Sequence, residues 1–402
     1  MLVVKKFGGS SVADKERIFN VARRCIEDYE KGNDVVVVLS AMGKTTDGLI
    51  AKAHEINPNP PKRELDMLLV TGEQVSVALM AMAMSSLGVP AVSLNAAQVV
   101  MHTSSAYGSA KLKRIDVERI RHELESRRIV IVTGFQGINK YDDFTTLGRG
   151  GSDTTAVALA AALHADVCEI YTDVEGVYTA DPRVVPNARK LAEVSYDEML
   201  EFASLGAKVL HNRSVEMAKK YGVKLVVLSS LTRAEGTIVK EETKVERTLI
   251  SGVAADASVA RISVLGVENK PGITFRVFNL LAKNHINVDI IIQSVTEPGK
   301  KDISFTVAKT YLSDAMDLLR ENRESLTARE IVSEEGVAKL SVIGAGMCSN
   351  PGVAAKMFEA LYSADVNTEM IATSEIRITA LIDERDVKRA MRAVHDAFDL
   401  AD

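Results

Sequence analysis

The sequence predicts an α/β protein: a mostly parallel sheet covered by helices, followed by two small βαββαβ units. Two observations support this prediction. Short segments rich in β-branched residues alternate with helical segments up to about Lys240, a pattern typical of a parallel sheet. Beyond that point the sequence repeats itself with an offset of 80 residues, as between Pro271 and Pro351.

Composition places the chain among globular proteins of two or three domains. It has 402 residues, of which 47% are hydrophobic and 26% charged. The longest apolar runs, Val77 to Met84 and Ala156 to Leu163, are far shorter than the roughly 20 residues that cross a bilayer. We therefore expect no membrane span. The N-terminus turns basic at Lys5 and Lys6, where an export signal would stay apolar, so a cytoplasmic location is expected.

Charge and potential metal ligands exclude further classes. The formal net charge is -5, and there is no Trp and no basic run, which argues against nucleic acid as a partner. The cysteines Cys25, Cys168 and Cys348 form no CxxC pair, and the histidines show no ligand spacing. The sequence therefore predicts no metal site built by the protein alone, and small-molecule chemistry or sensing remains.

The first region contains the elements of a parallel sheet and its helices. A helix rich in alanine is predicted from Ser152 to Leu163, and Ser152 or Asp153 is expected to cap its N-terminus. The predicted strands are Leu2 to Lys6, Asp34 to Ser40, Ala91 to Leu94, Ile129 to Thr133, Val167 to Thr172 and Val223 to Leu228.

The repeat predicts two copies of one small domain. Each copy has a strand, a Pro-Gly turn that opens a helix, two further strands and a second helix, which is the order of a βαββαβ unit. The matched residues are Pro271, Gly272, Phe278, Leu281, Ile286, Asn287 and Ser294 in the first copy and Pro351, Gly352, Phe358, Leu361, Val366, Asn367 and Ser374 in the second.

Two glycine-rich segments precede helices in the first region. Lys6 to Ser11 leads to a helix expected near Val12, and its paired glycines allow a phosphate to approach the backbone beside the charge of Lys6. A plain strand-to-helix turn explains the same glycines equally well. Leu147 to Thr155 offers a second anion site, in which Arg149 presents a planar fork suited to a carboxylate or phosphate.

With four other motifs, these segments resemble the aspartokinases, members of the amino acid kinase superfamily. The match follows the family order over nearly the whole chain, and the repeat resembles the tandem ACT modules of that family. The matching segments are Lys6 to Val12, Ser40 to Asp47, Thr71 to Glu73, Thr145 to Asp153, Thr172 to Arg183 and Gly206 to His211.

The resemblance implies a division into domains. It implies a three-layer α/β/α amino acid kinase domain with a mostly parallel sheet over residues 1–240, followed by two ferredoxin-like ACT modules. The first module covers residues 261–336. The second combines residues 247–260 with 337–402, because in the family the strand before the first module completes the second. A monofunctional enzyme without a fused homoserine dehydrogenase is expected.

The resemblance also implies an activity: ATP-dependent phosphorylation of the β-carboxylate of L-aspartate to 4-phospho-L-aspartate. This is the first step of lysine, threonine and methionine biosynthesis. The β-carboxylate is ionised near pH 7, since its reference pKa is about 3.9, so the reaction needs no general base. Catalysis is then positioning and charge neutralisation, with Mg²⁺ brought by ATP.

Site residues follow from the same resemblance. Lys6 would contact the transferring phosphoryl group, and Asp153 would position Lys6 or the metal. Glu73 suits the ammonium group of aspartate and Arg149 its α-carboxylate, with a solvated carboxylate as the alternative for Glu73. The substrate-binding residues are Thr46, Glu73, Arg149 and Ser152. The nucleotide-binding residues are Lys6, Gly8, Gly9, Ser10, Thr172, Asp173, Tyr178, Arg183 and Lys208.

The ACT modules imply feedback by lysine, threonine or both, and pairing of the modules implies at least a homodimer. Asn269 stands where the family often has an aspartate, which leaves the effector's identity open, and Asn287 and Gln293 are alternatively only turn and surface residues. The expected effector residues are Asn269, Gly272, Thr274, Asn287, Asp289, Gln293, Thr373, Ser374 and Glu375.

Three rival functions remain at this stage. Other kinases of the superfamily act on glutamate, acetylglutamate or UMP, but the ACT-like repeats argue against them. A non-catalytic amino-acid sensor would have damaged charged positions, whereas Lys6, Glu73 and Arg149 are intact. A dehydrogenase lacks its glycine fingerprint, because Asp153 occupies the third glycine position.

Overall fold

The computed structural model describes residues 1–205, 209–241, 250–347 and 350–401. The chain forms two compact units. One contains residues 1–177 and 190–245, and the other contains residues 178–189 and 246–402.

The first unit is built on an eight-stranded sheet in the order β10-β12-β11-β9-β1-β2-β6-β3. All of its neighbouring pairs are parallel except β11 with β12. The other strands form a small sheet in the order β5-β4-β7-β8. The strands are β1 (Leu2–Phe7), β2 (Asp34–Leu39), β3 (Ala91–Leu94), β4 (His102–Thr103), β5 (Leu112–Arg114), β6 (Ile129–Thr133), β7 (Gln136–Ile138), β8 (Phe144–Thr146), β9 (Val167–Thr172), β10 (Glu193–Ser195), β11 (Leu225–Ser229) and β12 (Thr237–Lys240).

The six strands predicted from β-branched runs all lie in the large sheet, so the mostly parallel α/β prediction is confirmed. The central strands are apolar on both faces because helices cover both. In β2 every residue from Val35 to Leu39 is buried, and β6 is buried throughout.

Helices α1 and α4 share one apolar core with the sheet, and α6 contacts β1, β2 and β9. The helix expected near Val12 begins later: Gly9–Val12 is a single 3-10 turn, and Asp14 caps α1 by accepting a hydrogen bond from the backbone of Arg17. The helices are α1 (Lys15–Glu30), α2 (Thr45–Ile56), α3 (Lys62–Leu69), α4 (Thr71–Ser86), α5 (Glu118–Glu125), α6 (Gly151–Leu163), α7 (Tyr196–Ser204) and α8 (Asn212–Tyr221).

One helical stretch of the described residues, Lys62–Ser86, is long and apolar enough to cross a membrane by length and composition. Half of its most apolar window is buried inside the protein. Met80 and Met84 lie in the core shared with α1, and the stretch also buries Asp66 and Glu73. The stretch is therefore packed as part of the first unit's core.

The second unit contains two four-stranded antiparallel sheets, in the orders β15-β16-β14-β17 and β13-β18-β20-β19. Each sheet carries two helices, as the repeat predicted. The strands are β13 (Gly252–Asp256), β14 (Val259–Glu268), β15 (Ile291–Glu297), β16 (Lys300–Ala308), β17 (Glu330–Glu334), β18 (Val337–Ile343), β19 (Met370–Thr373) and β20 (Arg377–Asp383). The helices are α9 (Ile273–Lys283), α10 (Leu312–Glu321), α11 (Val353–Ser363) and α12 (Val387–Ala397).

Two parts of the chain join the second copy of the repeat from earlier in the sequence. Strand β13 pairs with β18. The segment Tyr178–Arg189 also belongs to this unit, because its Ala180 and Val185 lie in the same apolar core. The carbonyl of Thr179 accepts a hydrogen bond of 2.7 Å from the backbone of Val253.

Candidate active site

The predicted catalytic residues lie where the parallel strands of the large sheet end. Four strands end here: β1 at Phe7, β2 at Leu39, β6 at Thr133 and β9 at Thr172. The register of the sheet places these four ends side by side. The carboxyl ends of parallel strands are the usual ligand-binding edge of such a sheet. We call this region the carboxyl edge.

Lys6 and Asp153 form an ion pair at this edge. The Nζ atom of Lys6 lies 2.6 Å from Oδ1 of Asp153, and the two side chains are only 13% and 12% exposed. Asp153 lies in the first turn of α6, which crosses the same face of β1 from which Lys6 projects. The structure thus brings the two predicted catalytic residues together.

The loop after β1 is pressed against the segment that follows β2. A Cβ atom on Gly9 would lie 2.5 Å from the carbonyl oxygen of Ala41, so only glycine fits there. The backbone of Gly43 donates a hydrogen bond of 2.9 Å to the carbonyl of Gly9. A Cβ atom on Gly8 would lie 3.6 Å from Nζ of Lys6. The glycines therefore keep the backbone open beside the ammonium group, as a phosphate cradle requires.

Ser152 does not cap α6, which corrects the expectation from sequence. The N-cap is Gly150, in the left-handed conformation with φ 68°, and it makes no side-chain cap. Ser152 and Asp153 lie inside the helix. The hydroxyl of Ser152 is instead 2.9 Å from the hydroxyl of Ser40, directly after β2. Asp153 is held by Lys6, so both side chains point to the carboxyl edge.

Gly134 makes the approach of Ser152 possible. A Cβ atom at this position, directly after β6, would lie 2.6 Å from Oγ of Ser152. Sequence analysis missed Gly134 and gave Ser40 no role of its own. Their position immediately after buried strands was the available signal.

Glu73 is a buried carboxyl group in the first turn of α4. It is 3% exposed, and its Oε1 accepts a hydrogen bond of 3.1 Å from the backbone of Ala41. Its Oε2 is buried and has no hydrogen-bond partner in the described part of the chain. Burial raises the pKa of Glu73 to about 7, although the bond from Ala41 opposes the shift. The alternative of a solvated carboxylate is therefore wrong.

Helix α4 is held close to this segment by Gly72. A Cβ atom on Gly72 would lie 2.9 Å from the Cβ of Ala41. The remaining predicted substrate residues are more open: Thr46 is half-buried in the first turn of α2, and Arg149 is exposed. Arg149 has no hydrogen bond or ion pair with the described residues, so its exposed guanidinium group is available for an anion.

The end of β9 carries the predicted nucleotide residues Thr172 and Asp173. The hydroxyl of Thr172 donates a hydrogen bond of 3.0 Å to Asp173, and its carbonyl accepts one of 2.8 Å from the backbone of Ser230. Ser10 is exposed in the loop after β1. Lys208 lies outside the described residues.

Tyr178 and Arg183 belong to the second unit. Tyr178 packs against the apolar core there, and the guanidinium group of Arg183 lies 2.8 Å from a carboxylate oxygen of Asp181. Their predicted contact with a nucleotide stays a prediction.

The predicted effector residues also lie in the second unit. The hydroxyl of Thr274 donates to Oε1 of Gln293 at 3.0 Å, and Nζ of Lys301 donates to the same hydroxyl at 3.0 Å. Asp289 pairs at 2.6 Å with the buried Lys339. Gly272, with φ 94°, is the N-cap of α9. Thr274 is half-buried, and every other member of the set is exposed: Asn269, Gly272, Asn287, Asp289, Gln293, Thr373, Ser374 and Glu375.

No group of three or more His, Cys, Asp or Glu side chains within the described ranges could hold a metal ion.

Comparison with known proteins identifies the family. A family model described as the amino acid kinase family matches residues 1–229, and two models described as ACT domains match residues 260–320 and 340–398. A relative from Bacillus sp. (strain MGA3), named aspartokinase, is 51% identical over 401 residues, covering 100% of this chain and 98% of the relative. The chain belongs to the aspartokinase family.

Other aspartokinases agree. The aspartokinase of Corynebacterium glutamicum is 50% identical over 405 residues, covering 99% of this chain and 96% of that one. The crystal structure of E. coli aspartokinase III in complex with aspartate and ADP is 28% identical and covers 99% of both chains with a TM-score of 0.85. The same protein in complex with lysine and aspartate gives a TM-score of 0.76, again with 28% identity and 99% of both chains covered.

Membership of the aspartokinase family settles the class of activity. The chain is a kinase that phosphorylates aspartate with ATP, and its ACT domains regulate that activity. The amino acid kinase domain contains the carboxyl edge, with Lys6, Asp153 and Glu73.

Proposed function

We propose that the chain transfers the γ-phosphoryl group of ATP to the β-carboxylate of L-aspartate and so forms 4-phospho-L-aspartate. The observation that carries this proposal is the buried Oε2 of Glu73, which has no partner among the described residues and lies in the half of the carboxyl edge next to Ala41. A buried carboxylate oxygen of this kind needs a cationic or hydrogen-bond-donating ligand, and the ammonium group of an amino acid supplies one.

The transfer needs no general base. The β-carboxylate is already ionised near pH 7, so one of its oxygens attacks the γ-phosphorus while the bond to the bridging oxygen of ADP breaks. Lys6 neutralises the charge that develops on the phosphoryl oxygens. Asp153 holds the Lys6 ammonium 2.6 Å away, which fixes its direction before substrates bind.

Aspartate would be held by complementary charges. Glu73 binds its ammonium group, and the exposed Arg149 binds its α-carboxylate through two parallel hydrogen bonds. Thr46 and Ser152 donate hydroxyl hydrogen bonds. The bond between Ser40 and Ser152 sets the direction of the latter hydroxyl.

ATP would lie over the glycine loop. Gly8, Gly9 and Ser10 offer backbone N–H groups to the phosphates, and Thr172 with Asp173 contacts the rest of the nucleotide. For Tyr178, Arg183 and Lys208, a nucleotide contact stays a prediction from the family resemblance alone. Mg²⁺, carried by ATP, would supply further charge neutralisation at the phosphates.

The proposal extends to regulation and assembly. Lysine, threonine or both would bind the ACT modules around Thr274 and Gln293 and inhibit the kinase as end products of lysine, threonine and methionine biosynthesis. β15 is the edge of its sheet and is exposed along most of its length, which favours pairing of modules in a cytoplasmic homodimer or larger homo-oligomer.

The decisive test is an assay of ADP release from ATP with L-aspartate and Mg²⁺, run with and without hydroxylamine. An acyl phosphate reacts with hydroxylamine to a hydroxamate, whereas a phosphate ester does not. We expect ADP release that depends on aspartate and, with hydroxylamine present, an amount of hydroxamate equal to the ADP released. Equal turnover with glutamate, acetylglutamate or UMP would contradict the proposed substrate. Inhibition by lysine and threonine, alone and together, tests the regulatory part.

A further inference from the structure

The face of the sheet opposite Lys6 contains a buried charge cluster, which we define as Lys5, Arg24, Asp28, Glu169 and Tyr171. Nζ of Lys5 lies 2.6 Å from a carboxylate oxygen of Asp28 and 2.6 Å from one of Glu169. The hydroxyl of Tyr171 donates to Glu169 at 2.8 Å. Lys5 directly precedes Lys6 on β1, so the cluster lies on the opposite face of the same strand.

Tyr171 connects the cluster to the carboxyl ends of β1 and β9. Its ring stacks on that of Phe7 with centroids 4.3 Å apart and an interplanar angle of 11°. Phe7 separates Lys6 from Gly8, and Tyr171 immediately precedes Thr172. The guanidinium carbon of Arg24 lies 5.0 Å from the centre of the Tyr171 ring.

Arg24 also holds the turn after β11. Its two terminal nitrogens donate to the carbonyl of Ser229 at 2.8 Å and to that of Thr232 at 2.7 Å. Asn20, one helical turn earlier on the same face of α1, donates to the carbonyl of Ser230 at 3.2 Å. Helix α1 therefore fixes three of the carbonyl groups of the turn 229–232, those of Ser229, Ser230 and Thr232.

The turn 229–232 holds the loop after β9 at two points, one before Asp173 and one after it. The backbone of Ser230 donates to the carbonyl of Thr172 at 2.8 Å. The hydroxyl of Thr232 donates to Oε1 of Glu175 at 2.9 Å. Asp173 lies between these two attachments, so its position depends on the turn and, through the turn, on Arg24.

We propose that Arg24 is a positioning residue for the nucleotide half of the active site. Arg24 is 6% exposed and both of its terminal nitrogens are occupied, so it acts on the nucleotide only through the turn and the loop around Asp173. This inference rests on the proposed placement of ATP beside Thr172 and Asp173. It assigns α1 a part in the reaction that no substrate contact would reveal.

The test is steady-state kinetics of R24M and R24K in the full-length protein, with ADP binding measured by calorimetry. We expect R24M to raise the KM for ATP and the Kd for ADP about tenfold, equivalent to about 1.4 kcal/mol, with the KM for aspartate changed less than twofold. R24K should recover part of the loss, because an ammonium group reaches one carbonyl but not two.

The matched control is R23M, since Arg23 is the exposed neighbour on α1 and lies over Phe19 instead. We expect it to leave both KM values unchanged. Should R24M fail to fold, N20A removes only the bond to Ser230 and should raise the KM for ATP about two- to threefold, the effect of one neutral hydrogen bond.

Two outcomes would overturn the inference. Equal increases in both KM values, or a lower unfolding temperature with unchanged KM values, would make Arg24 a structural residue only. D173A distinguishes this failure from failure of the proposed function. If D173A raises the KM for ATP and R24M does not, Arg24 is not a positioning residue. If neither variant raises it, the placement of the nucleotide is wrong.

Discussion

Lys5 and Lys6 are neighbours on β1, but their side chains leave opposite faces of the strand and meet different surroundings. Lys5 is 1% exposed and is bracketed by the carboxylates of Asp28 and Glu169. Burial alone would lower the pKa of the Lys5 ammonium, but Glu169 and Asp28 raise it overall. Lys6 has Asp153 as its one ion-pair partner among the described residues, at the open edge of the sheet.

The charges around Lys5 stabilise the fold, whereas the charges at the carboxyl edge are available to a ligand. In the buried charge cluster, Lys5 pairs with the carboxylates of Asp28 and Glu169, and the terminal nitrogens of Arg24 donate to backbone carbonyls. At the carboxyl edge, Glu73 has an unpartnered oxygen and Arg149 is exposed without a partner in the described part of the chain. Substitutions on the two faces should therefore affect different quantities.

The largest effect is expected on stability, from Lys5→Met. Removing the buried cation leaves two carboxylates that are only 20% and 19% exposed, which should lower the free energy of unfolding by about 3–5 kcal/mol. Denaturant unfolding measures this loss. The double variant Lys5→Met/Glu169→Met should regain part of it. A loss below about 1 kcal/mol in the single variant would contradict the comparison.

Lys6→Ala should affect turnover instead. Its charge matters most as the phosphoryl group transfers, so kcat should fall about 100- to 1,000-fold, while the free energy of unfolding and aspartate affinity change little. Turnover within a few-fold of the unmodified protein would show that Lys6 does not contact the phosphoryl group.

Sequence reasoning found the fold because its signals were local. Buried β-branched runs such as Asp34 to Ser40 and the repeated Pro-Gly turns are visible without tertiary contacts. The motif Thr71 to Glu73 also pointed to Glu73 as a functional carboxylate, which the burial of this side chain supports.

What sequence reasoning missed depends on partners distant in sequence. Ser152 looked like a helix cap because its contact with Ser40 lies 112 residues away. Lys5 was noted only as part of a basic N-terminus, since its partner Glu169 is on a different strand. The segment Tyr178–Arg189 lies within residues 1–240, the range expected for the kinase domain, and its packing in the second unit depends on contacts that only the folded chain shows.

Aspartate binding should depend on pH because of Glu73. With a pKa of about 7 in the free protein, its carboxyl group is neutral at lower pH and cannot pair with the ammonium group of aspartate. The KM for aspartate should therefore rise about tenfold between pH 7.5 and pH 6, while the KM for ATP changes less. A parallel change in both would remove Glu73 from the aspartate site.

The same shift affects stability in a defined direction. The pKa in the folded state is above the ordinary value of 4.5, so the folded protein binds the proton more tightly than the unfolded chain. Stability from this group is present at low pH and falls as pH rises from about 4.5 to 7. Glu73→Gln should therefore stabilise the protein at pH 8, on the order of 3 kcal/mol, and have little effect at pH 4.5.

Arg149→Lys tests the other charge left for a ligand. A lysine ammonium cannot reproduce two parallel hydrogen bonds to a carboxylate, so the KM for aspartate should rise about tenfold and that for ATP less than threefold. Arg149→Lys should leave the unfolding temperature unchanged, because the side chain is exposed. Equal effects on both substrates would place Arg149 at the phosphates instead.

The smallest effect is expected from Gln293→Ala, in the second unit. Gln293, Thr274 and Lys301 form a chain of hydrogen bonds at the surface, and Asp289 is the member of this region that is neutralised internally, by Lys339. If effectors bind here, losing the Gln293 amide should raise the concentration of lysine or threonine for half-inhibition about three- to tenfold, within the usual 1–3 kcal/mol of allosteric coupling. Uninhibited activity should stay close to that of the unmodified protein.

Ser294→Ala is the matched control, because neighbouring residues on a strand face opposite sides of the sheet. If both variants are inhibited like the unmodified protein, the effector does not bind to the hydrogen-bonded side chains of Gln293, Thr274 and Lys301. The charged groups proposed to bind ligands would then be those at the carboxyl edge.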